Sequence, residues 1–87
     1  RLRMDFLLLL PGGYRIVVEV DGKHHYSGGD GQADPSRYGA MVAADRELKL
    51  SGYDVYRFGG HELQKESADA MVQSFFRELF KRYAVPF

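Results

Sequence analysis

Asp5 and Glu19 lie on either side of Pro11-Gly12-Gly13, and the register across that turn decides whether the two carboxylates can act together. If the turn is a three-residue hairpin loop, Leu10 pairs with Tyr14, Asp5 stands directly opposite Glu19, and Arg3 stands opposite Asp21. Directly opposed residues share a face, with Cβ atoms ~4.5–5.5 Å apart. Along the second strand Glu19, Asp21 and, if the strand runs on, Lys23 and His25 point the same way. One face then gathers Asp5, Glu19, Asp21 and Lys23 among Leu and Val residues.

Like charges set opposite each other weaken a sheet, and buried carboxylates are costlier still unless something neutralises them. The simplest neutraliser is a divalent cation, and an all-oxygen donor set suits Mg²⁺, Mn²⁺ or Ca²⁺. Magnesium keeps several waters and takes one or two protein carboxylates, which matches this sparse set. A nearby Lys adds a charge that orients a nucleophilic water or stabilises a developing phosphorane. Metal, water and cation together are the requirements of phosphodiester hydrolysis. Two plainer readings stand beside this one. A two-residue loop would put Asp5 and Glu19 on opposite faces, and Arg3 and Arg15 could pair with the acids as a salt-bridged surface.

The elements that must position these residues are legible as patterns. Leu2–Leu10 and Tyr14–Asp21 are apolar at nearly every position and rich in Leu, Ile and Val, which predicts two strands with both faces covered. Gly22 to Asp34 reads as a glycine-rich loop. Asp34-Pro35 reads as an N-cap and first helical residue. The helix predicted over Pro35–Ser51 carries Tyr38, Met41, Val42, Ala44 or Asp45, and Leu48 on one side, with Gly52 as its left-handed stop. Tyr53–Phe58 is a third strand, and Ser67–Tyr83 a final helix with a Met, Val, Phe and Leu stripe that packs as core. His61-Glu62 reads as a charged helix start, Asp45 and Arg46 as partners for other strands' charges or supports of the site, and Arg57 as reaching a phosphate or a core carboxylate.

Composition bounds the rest. The 87 residues make a single domain spanning 1–87, and 45% hydrophobic content excludes a disordered chain. With no cysteine there is no disulfide scaffold, thiolate metal site or thiol nucleophile. No unbroken apolar run exceeds five residues, against the ~20 that a membrane helix needs. Twelve basic and twelve acidic groups balance, and do so in each third of the chain, so there is no basic arm for nucleic acid. If Asp5, Glu19 and Asp21 cluster around a cation, the remaining surface is mildly basic. Such a chain, by itself, is expected to bind DNA weakly.

Taken together, Asp5-Phe6, Glu19-Val20-Asp21-Gly22, His25, Asp45-Arg46 and Gly52-Tyr53-Asp54-Val55-Tyr56-Arg57-Phe58 resemble the PD-(D/E)XK restriction-endonuclease-like superfamily. The nearest branch is the small bacterial domains related to very-short-patch mismatch-repair endonucleases, and the resemblance runs from about Arg3 to Leu63. It implies that Asp5 and Glu19 ligate Mg²⁺, or Mn²⁺ in its place, with the Val20 carbonyl as a third ligand, and that DNA strands are cleaved. The sequence departs from the pattern at Met4, where the motif has Pro, and at Asp21, where it has the catalytic Lys. In the relatives an Asp often stands at that position and His residues follow it, so Lys23, His24 or His25 would supply the cation or general base. The superfamily core also begins with a helix and a strand ahead of the Asp strand, which this sequence lacks. The expectation is therefore the C-terminal portion of a longer protein.

The resulting expectation is an α/β domain with a mixed sheet flanked by helices, in the order β-β-α-β-α, of restriction-endonuclease-like fold. Its activity would be that of a Mg²⁺-dependent DNA endonuclease or nickase in repair, recombination or defence, in the bacterial cytoplasm. Asp5, Glu19, Asp21, Lys23 and His25 are the candidate catalytic residues. Partners are DNA and either a second copy or an upstream region, with no membrane. Two rivals are a catalytically inactive nuclease fold that binds nucleic acid or protein, favoured by Asp21 replacing the Lys, and a structural module whose aromatic helix docks a partner.

Overall fold

The computed structural model describes residues 4–21 and 35–86. Strand β1 (Phe6–Leu10) and strand β2 (Tyr14–Asp21) form an antiparallel hairpin in which Leu10 pairs with Tyr14 and Phe6 with Val18. The three-residue loop is thus the one adopted. Gly12 and Gly13 close it at φ of 91° and 83°, where a side chain would be strained.

Helix α1 (Pro35–Leu50) ends on Gly52, whose φ of 97° is the left-handed stop that the sequence predicts. Strand β3 (Asp54–Gly59) then lies parallel to β2, giving a three-stranded mixed sheet in the order β1-β2-β3. A one-turn helix, α2 (Gly60–Leu63), follows directly, and α3 (Ala68–Arg82) closes the described chain. The expected order therefore gains one short helix. Glu62 produces it: its carboxylate accepts the Gly59 backbone N–H (2.8 Å), satisfying a donor that the helix start would otherwise orphan. This is the charged helix-start reading of His61-Glu62.

The two faces of the sheet differ. Ile16, Val18 and Phe58 form the buried core with Leu79 and Tyr83, and Phe75, Phe76 and Met71 of α3 pack against it. The aromatic stripe of α3 is thus core, as its spacing predicts. The Tyr83 hydroxyl donates to Asp54 (2.7 Å) and lies 3.2 Å from the Tyr56 hydroxyl, tying the end of α3 to β3. Burial, with the hydrogen bonds to Tyr56 and Asp54, pushes the Tyr83 pKa well above the usual tyrosine value. A cavity of about 390 Å³ on this side is lined by apolar residues including Phe6, Val20, Phe58 and Val72.

The opposite face carries Val17, Glu19 and Asp21 and is approached by α1, which packs against β3. Two expectations change here. In α1 only Leu48 is buried, while Tyr38 and Val42 of the predicted apolar side are exposed. In β1, Phe6, Leu7 and Leu9 are exposed as well, so the second-strand segment is covered on both faces and the first is not. The reason is position. Strand β2 is the central strand, and β1 lies at the edge of the described sheet.

Candidate functional site

The hairpin register sets Asp5, one residue before β1, against Glu19 of β2. Their bonds interlock: the Asp5 N–H donates to Glu19 Oε2 (3.0 Å), and the Val20 N–H donates to Asp5 Oδ2 (2.9 Å). Side-chain carboxylates thus take backbone donors at the point where the β1–β2 ladder ends. Glu19 is 8% exposed. Burial raises the Glu19 pKa above its ordinary value and the Asp5 charge adds to the rise, against the Asp5 backbone N–H and the Arg57 charge. A neighbouring like charge disfavours the ionised form of a carboxyl, which is the direction in which Glu19 moves.

A second cluster adjoins the first. Parallel pairing sets Glu19 opposite Arg57 and Asp21 opposite Gly59. The Arg57 guanidinium reaches along the sheet to Asp21 on one side and to Asp45 of α1 on the other, with Nε 3.1 Å from Asp45 Oδ2. Burial opposes the Arg57 charge, but the hydrogen bonds to Asp45 and the negative charges of Asp21 and Asp45 outweigh it and hold its pKa above the usual value. Asp21 is almost fully buried and is bonded to this guanidinium, the kind of partner a buried carboxylate needs.

The expected site residues separate accordingly. Asp5, Glu19 and Val20 lie together at the end of the hairpin, and Asp21 shares their face but is bound to Arg57. Lys23, His24 and His25 lie outside the described residues, as do Arg3 and the Asp34 cap. Arg15 does not pair with the acids. Its guanidinium lies over the Tyr53 ring (4.3 Å) and donates to the Ser51 carbonyl (2.9 Å). Of the two partners the sequence offers Arg57, a phosphate or a core carboxylate, the structure shows the carboxylate; that it is Asp21 depends on the register of the parallel β2–β3 pair.

Among the described residues no three His, Asp or Glu side chains converge to hold one metal ion. The described donor set is therefore the Asp5–Glu19 pair, with backbone beside it. Two neighbouring carboxylates, one of them buried, fit a hard divalent cation that keeps part of its water shell. Among the described residues no helix is long and apolar enough to cross a membrane. No family model matches the chain, and no curated protein or solved structure matches it.

Proposed function

We propose that this chain is the catalytic part of a divalent-metal-dependent DNA endonuclease or nickase of restriction-endonuclease-like fold. The observation that supports it best is the Asp5–Glu19 pair. Two acids are set side by side at the end of a hairpin, each carboxylate bonded to a backbone N–H of the facing strand segment; like charges so placed weaken a sheet, and a divalent cation would offset that cost. Asp5 and Glu19 would hold Mg²⁺ or Mn²⁺, with the Val20 carbonyl beside them. The metal, when bound, would polarise the scissile phosphate and lower the pKa of a bound water. Lys23 or His25, following β2 in sequence, would take the proton of the attacking water or assist the leaving oxygen. The small α/β fold with a mixed sheet accords with this reading. DNA would be held weakly by this chain alone, because its charges balance.

A specific observation favours the inactive-module alternative. At position 21, where the resembled motif carries its lysine, the structure has a carboxylate bound to Arg57. Incubation with supercoiled plasmid and Mg²⁺ or Mn²⁺ separates the two. The proposal expects nicking by the wild type that is lost in Glu19→Gln. Equal nicking by both proteins would assign the activity to a contaminant, and absence of nicking with intact metal binding would select the inactive module.

A further inference from the structure

Resting on the metal reading above, we infer that Arg57 is a positioning residue that withholds Asp21 from the metal and so limits the site to one divalent cation, held by Asp5 and Glu19. Three acids, Asp5, Glu19 and Asp21, occupy one face at the same end of the sheet, which by composition alone would suit a three-carboxylate site. The side-chain bonds divide them differently. The Glu19 carboxylate accepts the Asp5 N–H and the Asp5 carboxylate accepts the Val20 N–H, whereas Asp21 is gripped by a guanidinium that is itself held from its far side by Asp45. Gripped by carboxylates on both sides, Arg57 cannot swing away toward solvent without stranding the buried Asp21. A divalent ion approaching Asp21 would have to displace a cation already bonded there, and the two positive charges would repel.

The test is Mn²⁺ binding to the intact chain, followed by titration calorimetry and by the electron paramagnetic resonance signal of unbound Mn²⁺. The wild type is expected to bind one Mn²⁺. Glu19→Gln should weaken binding at least about a hundredfold, as loss of a ligand does. Asp21→Asn should weaken it by no more than about fivefold, the through-space effect of one removed charge. Arg57→Met should release Asp21 and tighten binding. Adding Asp21→Asn to it should then cost at least about tenfold more than in the wild-type background, a coupling that a purely structural role would not produce.

Weakening by Asp21→Asn as large as that by Glu19→Gln would make Asp21 a ligand and overturn the inference while leaving the metal reading intact. Absence of coupling between the two substitutions would overturn it equally. If Arg57→Met fails to fold, the comparison of Asp21→Asn with Glu19→Gln decides alone. If the wild type binds no Mn²⁺, or Glu19→Gln binds it as the wild type does, the metal reading falls and takes this inference with it.

Discussion

Replacing Glu19 by Gln should stabilise the metal-free protein at neutral pH, although it removes a buried residue's hydrogen-bonding charge. Two carboxylates ~4 Å apart repel by about 1 kcal/mol in water and about 4 kcal/mol at an effective dielectric constant of ~20. Asp5 is exposed, which places this pair toward the lower figure. Gln keeps an oxygen for the Asp5 N–H and brings an amide that can donate to the Asp5 carboxylate. Weakening of the charge-assisted bond from the Asp5 N–H offsets part of the gain. The net expectation is about 1 kcal/mol, or a Tm rise of ~4–8 °C for a domain of this size.

The pH dependence follows from the direction of the shift. Burial and Asp5 raise the folded-state pKa of Glu19 above the ordinary 4.5, so the folded state binds more protons than the unfolded one just above that pH. Wild-type stability is therefore lost as pH rises from 4.5 through the raised value. The gain from Glu19→Gln should be full above the raised value and fade below 4.5. Urea unfolding followed by circular dichroism, with EDTA present, measures both quantities. A Glu19→Gln protein less stable than the wild type at pH 7, or a difference independent of pH, would refute the account of the pair as mutually repelling like charges.

Three further outcomes are expected from the same measurement. Arg57→Met should cost ~2–4 kcal/mol by stranding the buried Asp21, whereas Arg57→Lys should recover part of the loss; equal stability of all three proteins would show that the Asp21–Arg57–Asp45 bonds do not hold α1 to the sheet. Gly52→Ala should cost ~1–3 kcal/mol, because φ is 97° there and an added Cβ would run into the Arg15 guanidinium, so a neutral substitution would contradict the α1–β3 turn. Leu79→Ala, at the centre of the α3 contact with Ile16 and Val18, should lower stability by ~2–5 kcal/mol; a loss under ~1 kcal/mol would place α3 elsewhere.

Much of this arrangement is local and was therefore legible. A Pro-Gly-Gly turn admits few loop lengths, and once the loop has three residues every pairing in the hairpin follows, Asp5 against Glu19 included. The α3 stripe is likewise self-sufficient, since apolar residues at helical spacing need a sheet to cover and the sheet has a matching face. The apolar side of α1 misleads by the same logic. Tyr38 and Val42 have helical spacing, yet of that side only Leu48 is buried. Periodicity tells which residues share a side, and the neighbouring element decides whether that side is covered.

The amino-acid sequence by itself determined the three strands and the two long helices and narrowed the hairpin to two registers, one of which brings the two carboxylates together, because each depends on residues close in the chain or joined by one short turn. What only the tertiary structure decided is which acids remain together. Asp21 is one alternation from Glu19 on the same strand face, and nothing local distinguishes it as a ligand. The parallel docking of β3 on β2, with α1 alongside, brings Arg57 and Asp45 to Asp21 from 36 and 24 positions away along the chain. A buried carboxylate takes the partner that the packing delivers, and packing between distant segments is not written in any one of them.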